Sequence, residues 1–201
     1  MANRSKCNGH LCWLSLAMHN YHDVHGHLPP AHVEGPDGKP WHSWRVLLLP
    51  YIEQDKLYKD YKFDEPWDGP NNRTLQPRMP KCYACPGDSE NLKTGRTNYF
   101  VVVGPGSAFP GDKPTKFDDI TRPKGETILL VESVRQDINW MEPRDLVFEN
   151  LSFHLTDTKV PSISSRHRAH NVAMVDGSRQ SVHEINALDL RTMFLIREAV
   201  R

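Results

Sequence analysis

The chain has 201 residues, with 25 Lys plus Arg against 25 Asp plus Glu, so its formal charge is zero. A dedicated nucleic-acid binder gathers a basic excess on one face, and that class is set aside. Mean hydropathy is −0.62, and the longest apolar runs, such as Tyr99–Val103 and Ile128–Val131, fall far short of the ~18 residues of a membrane span. No signal-peptide core is visible either. As given, the chain reads as soluble and globular, long enough for one substantial domain.

The 16 prolines are about 8% of the chain against a typical ~5%. None falls in 1–28, in 124–142 or after 161. Proline is excluded from helix interiors and central strands, so regular structure is expected in those three windows, with a turn-rich middle between them. Leu11, Leu14, Met18 and Tyr21 recur at intervals of 3, 4 and 3, the stripe of an amphipathic helix. Gly26 ends it, and Pro29-Pro30 forbids continuation. Ser43–Leu49 reads as a short buried helix or strand stopped by Pro50, and Tyr51–Tyr61 is helical in composition. Clusters of Pro, Asp, Gly and Asn mark 64–80 as loop, with one helical turn at Asn71–Leu75. Asn98–Val103 and Thr127–Glu132 read as strands, the second more central. Asn171–His183 reads as a hairpin around Asp176-Gly177, a pair suited to a type I′ turn with positive φ at both positions. Asn186 can cap a helix carrying Leu188, Leu190, Met193, Phe194, Leu195 and Ile196, apolar most of the way round and therefore buried or pressed on a partner. No repeat or low-complexity tract is present. This order is α+β with an antiparallel sheet.

Four cysteines, Cys7, Cys12, Cys82 and Cys85, allow three pairings, and spacing alone chooses none of them. Cys82-Tyr83-Ala84-Cys85 is a C-x-x-C, open to redox, zinc or structural readings. A four-thiolate zinc site would need Cys7 and Cys12 as its other pair, yet their spacing sets them about 140° apart on a helix. A loop-rich chain favours structural disulfides. His19, His22 and His25, spaced by three, are candidate metal ligands, weighed against solvent-facing or capping histidines near a helix C-terminus. Asp118 and Asp119, with Asp112, are candidate calcium ligands in what is more simply a solvated loop. Ser164 and Ser165 adjoin His167 and His170, but no G-x-S-x-G elbow accompanies them. His183-Glu184 begins an H-E-x-x-H that Ala187 breaks, and Gly104-Pro105-Gly106 lacks the third glycine of a dinucleotide loop. No motif calls for a cofactor.

Segments spread over nearly the whole chain resemble the DUF1559 family, pilin-like proteins expanded in planctomycetes. They are Leu16–Asp23, Gly26–Ala31, Asp37–Pro40, Ser43–Gln54, Leu57-Tyr58, Phe63–Asn72, Met79-Pro80, Cys85–Asp88, Val103–Gly106 and Trp140–Leu146. His167 to Gly177 is similar to the family's "H-X9-DG" signature, with eight residues in place of nine between His167 and Asp176. The signature positions carried over are Trp44, Arg45, Pro50, Glu53, Trp67, Trp140, His167, Asp176 and Gly177. Cys7 and Cys85 fall where the family has cysteine, which implies a Cys7–Cys85 bridge, with Cys12 and Cys82 as an additional second pair. Family members usually begin with a prepilin leader and an apolar helix, and this chain starts near the point where that helix would end.

The resemblance implies one pilin-like domain over 1–201. A stem helix would occupy 1–27, a helical and loop insertion 28–96, and the sheet, hairpin and C-terminal helix 97–201. It implies a non-enzymatic soluble head of a type IV pilin-like or type II secretion pseudopilin-like protein of the cell envelope. Its partners would be other pilin-like subunits or envelope proteins, with the membrane reached only through an N-terminal helix upstream. In this picture His167, Asp176 and Gly177 are structural. A rival reading is an extracytoplasmic small-ligand or metal-binding domain with Trp41, Trp44, Trp67 and Trp140 around a pocket. A third is a hydrolase using His167 or His170.

Overall fold

The computed structural model describes residues 2–197 apart from 112, 135, 156, 158, 166–169, 183 and 184. Helix α1 (Ala2–His25) runs for 24 residues. Cys7, Leu11, Leu14, Ala17, Met18 and Tyr21 are buried along one side of it, as the intervals of three and four require. Gly26 closes the helix at φ 76°, its N–H donating to the His22 carbonyl at 2.7 Å, the left-handed cap that glycine permits without strain.

The middle of the chain is built from short pieces. Strands β1 (His32–Glu34) and β2 (Pro40–Ser43) form an antiparallel ribbon. Ser43 caps the single turn α2 (Trp44–Leu47). The expected helix over Tyr51–Tyr61 is interrupted: a 3-10 turn, Leu49–Ile52, ends at Glu53 in the left-handed region, φ 60°, before α3 (Asp55–Asp60) begins. Two further 3-10 turns, Asn72–Arg78 and Lys81–Tyr83, lead to α4 (Ser89–Thr94).

The expected strand Asn98–Val103 is two strands with different partners. β3 (Tyr99–Phe100) pairs antiparallel with β5 (Ile128–Glu132), whereas β4 (Val102–Val103) pairs parallel with β6 (Leu146–Val147). The main sheet is antiparallel throughout in the order β3-β5-β7-β8, with β7 (His170–Met174) and β8 (Arg179–Val182) completing it. Leu130 and Ala173 join the core under α1, and Phe100, Val131, Val172 and Met174 join a second core with Phe148, Leu190 and Phe194. A sheet covered on both faces explains why β5 and β7 are buried at every position and why β5 reads as unbroken apolar sequence as far as Glu132. The C-terminal helix α5 (Ala187–Thr192) is capped by Asn186 and stops before Met193. It is not buried all round, because Leu188 faces solvent while Leu190 does not.

The hairpin between β7 and β8 is not type I′. Gly177 alone has positive φ, 84°, and its N–H bonds the Met174 carbonyl, while Met174 N–H bonds the Ser178 carbonyl. This is a three-residue loop, a turn through Val175 and Asp176 followed by a left-handed glycine. Asp176 has a different task from the one its sequence position suggests: its carboxylate accepts from Ser178 N–H at 2.8 Å. A Cβ on Gly177 would come no nearer than 3.9 Å to the His19 ring, so Gly177→Val probes the backbone alone. It should lower unfolding stability by about 1–2 kcal/mol in urea titration; an unchanged midpoint would contradict the left-handed assignment.

Candidate functional site

Two buried polar constellations lie between α1, the middle segment and β3. In the first, Arg45 and Asp145, 0% and 2% exposed at their side chains, pair at 2.6 Å. Arg45 also donates to Ser43 Oγ and the Tyr99 carbonyl, and its guanidinium lies over the Trp44 and Phe100 rings. Asp145 accepts further from Trp44 Nε1 and Val101 N–H, each at 3.0 Å. Burial raises the Asp145 carboxyl and the Arg45 charge with these donors draws it back, leaving it at about 6, ionised at neutral pH. Val101 is the residue between β3 and β4, so its bond to Asp145 replaces a ladder bond where the chain changes partners. Tyr83 stacks on Trp140 and meets Trp44 edge-on, and its hydroxyl donates to the Arg45 carbonyl at 2.6 Å. Trp44 and Trp140 are fully buried, so these two are core and do not line a pocket.

The second constellation is centred on a disulfide. Cys7 of α1 is bonded to Cys85, 78 residues on, with a Cα–Cα separation of 5.4 Å. Asn98 seats Cys85 by accepting from its N–H at 2.9 Å, and the Tyr99 hydroxyl donates to the Cys7 carbonyl. Glu132, the last residue of β5 and opposite Tyr99 in the ladder, brings one carboxylate oxygen and the two sulfurs within 4.8 Å of one another. Its Oε2 accepts from Ser165 Oγ at 2.9 Å, and its Oε1 is buried with no hydrogen-bond partner. Burial, reinforced by the charge of Asp88 against the pull of Ser165, pushes the carboxyl from its ordinary 4.5 up to about 7.

That shift makes stability depend on pH. The folded chain holds the Glu132 proton more tightly than the unfolded chain, so the contribution is complete below pH 4.5 and lost as pH rises to about 7, a change of about 3 kcal/mol. Glu132→Gln should therefore be more stable than the parent disulfide form at pH 8 and indistinguishable from it at pH 4. Denaturant midpoints across that range test this, and parallel profiles for the two proteins would contradict it.

Cys12 and Cys82 do not form the second bridge; both are free, Cys12 exposed and Cys82 buried. The physical reason is helical: the turn that aims Cys7 at Cys85 leaves Cys12 on the solvent side of α1. Burial lifts the Cys82 thiol to about 12, which makes it unreactive. The three candidate histidines of α1, His19, His22 and His25, are given separate tasks. The ring nitrogens of His19 lie 2.8 and 2.9 Å from the Ser15 and Val175 carbonyls, tying α1 to the hairpin turn. His22 stacks on Phe117 and accepts its N–H, with burial lowering its pKa. His25 stacks on Tyr21 and meets the Tyr51 hydroxyl. Asp118 and Asp119 are exposed in a 3-10 turn, where Asp119 accepts from Lys116 N–H. Among the described residues, only Cys7, Cys85 and Glu132 form a metal-competent group. Of the other signature positions, Pro50 is the second residue of the 3-10 turn and Glu53 ends it, and Trp67 is half-buried against the α1 core. His167 lies outside the described residues, as do Asp112, His183 and Glu184. Ser164 and Ser165 are engaged with Val134 N–H and Glu132, and His170 is buried in β7.

A long N-terminal helix laid on an antiparallel sheet and stapled by one disulfide to an irregular middle segment defines an α+β helix-on-sheet protein. The profile of the family described as "Protein of unknown function (DUF1559)" matches residues 1–126, and the chain belongs to that family. No curated protein and no solved structure matches the chain. No helix among the described residues is long and apolar enough to cross a membrane.

Proposed function

We propose that this protein is the non-enzymatic soluble head of a type IV pilin-like or type II secretion pseudopilin-like subunit of the cell envelope. It acts there by assembling with other pilin-like subunits. The observation that carries this reading is the outer face of α1. Trp13, Leu16 and Val24 are 39%, 55% and 68% exposed, and their spacing places them on one side of α1, flanking the face docked on the sheet and with exposed Asn20 between Leu16 and Val24. Full burial of an exposed apolar side chain of that size gains roughly 1.5–3 kcal/mol, and covering the part each still exposes gains a share of that, so the stripe is suited to a neighbouring helix. The disulfide is compatible with an oxidising compartment outside the cytoplasm.

Leu16→Asp tests the reading, because position 16 touches little of the protein's own core. The variant should fold with stability within about 0.5 kcal/mol of the parent and be lost from the envelope fraction of cells. A variant that fractionates like the parent, or a purified protein with hydrolytic turnover, would overturn it. The rival metal-binding reading is favoured by one observation only, the Cys7, Cys85 and Glu132 cluster.

A further inference from the structure

We propose that Cys7, Cys85 and Glu132 form a binding site for a thiophilic divalent cation, Zn²⁺ above all, which is closed while the two sulfurs are bonded and opens when they are reduced. The proposal stands apart from the assembly reading and holds whether or not the protein assembles. Its first support is geometric. Three ligand atoms from three separated segments, α1, the loop after Lys81–Tyr83 and the end of β5, lie within 4.8 Å of one another in a buried position. On a tetrahedral ion, thiolates at ~2.3 Å and a carboxylate oxygen at ~2.0–2.2 Å lie roughly 3.6–3.8 Å from one another. The bonded sulfurs must therefore part on reduction to reach that spacing, with the carboxylate oxygen already beside them, and three side chains with a fourth position for water is a common zinc arrangement.

The second support is Glu132 itself. A carboxyl 1% exposed at the end of an apolar strand, with one oxygen satisfied by Ser165 and the other lacking a hydrogen-bond partner, is costly unless something positive meets it. Neither a lysine nor an arginine is bonded to it among the described residues. Its neighbours Asp88 and Tyr99 add negative charge or none. A divalent cation would satisfy the free oxygen and offset the local charge at once.

The redox step is balanced by an ordinary thiol reductant. A dithiol gives two electrons and two protons to the Cys7–Cys85 bond, which breaks to two thiols, and the dithiol leaves as its own disulfide. Zinc then displaces both thiol protons, and the Glu132 proton where it is held, into solvent.

The test uses the full chain carrying Cys12→Ser, so that the exposed thiol takes no metal. It is reduced with a phosphine, which does not compete for zinc and leaves as phosphine oxide with oxygen from water. Zinc uptake is followed by competition with a chromophoric chelator, and Co²⁺ substitution reports thiolate ligation through its charge-transfer band. The reduced chain should bind one equivalent of Zn²⁺, and the disulfide form none. Adding Glu132→Gln should weaken binding at least about tenfold, since even an outer partner of a zinc ligand is worth that much. If reduction loosens the fold, zinc should restore the near-ultraviolet circular dichroism and raise Tm, which the disulfide form will not show. No uptake by the reduced chain, no refolding on adding zinc, or unaltered affinity in Glu132→Gln would each overturn the proposal.

Discussion

Asp145→Ala should lower unfolding stability by about 3–5 kcal/mol, the cost of leaving a buried guanidinium without its counter-charge. The loss has three parts. Arg45, fully buried, loses the bond at 2.6 Å to its counter-charge. The Val101 N–H and Trp44 Nε1–H lose their acceptor in the same step, each a buried donor that water reaches poorly. The strand exchange at Val101 then loses the group that stands in for its ladder bond. Urea midpoints for Asp145→Ala, Arg45→Met and the double variant measure this. The double variant should cost clearly less than the sum of the two, because it removes both charges together. Additive costs, or a single-variant loss under about 1 kcal/mol, would mean the pair is worth no more than a surface ion pair.

The second large effect belongs to the disulfide. Reduction, or Cys7→Ser with Cys85→Ser, should cost about 4.5 kcal/mol in the chain-entropy account for a bridge spanning 78 residues. The structure makes the loss local as well as entropic, because the bridge holds α1 against the Asn98-anchored loop. Non-reducing peptide mapping should return one linked pair, Cys7 with Cys85. Cys12 should alkylate in the native state and Cys82 only after unfolding, since one is exposed and the other buried. A Cys12–Cys82 peptide, or four thiols in the native protein, would contradict the structure.

Local pattern carried much of this fold. The 3-4-3 spacing of Leu11, Leu14, Met18 and Tyr21 is a one-element signal, and α1 docks by those residues. The apolar run ending at Glu132 marks the central strand, and Asp176-Gly177 marks the hairpin, although the loop is one residue longer than that pair requires. The Cys7–Cys85 bridge was legible only through family resemblance, because spacing left three pairings open.

What stayed hidden was set by contacts distant in sequence. Nothing near Val101 announces the partner change that Asp145 enforces from 44 residues away. Glu53 adopts a backbone conformation that few residues other than glycine take, so helical composition alone could not break Tyr51–Tyr61 there. Glu132 carried one usable signal, a charge ending an otherwise apolar strand, but its sulfur neighbours come from α1 and from the loop at Cys85. The histidines of α1 show the converse. Regular spacing suggested convergence, and tertiary packing sends each ring to a different neighbour.

The assembly reading turns on what covers the outer face of α1 in the cell, and site-specific photo-crosslinking answers that directly. A photoreactive residue placed at Leu16 should capture pilin-like subunits of the envelope on irradiation of intact cells, while the same residue at exposed Lys56, away from the stripe, should capture none. Absence of any adduct from position 16, or identical adducts from both positions, would contradict it.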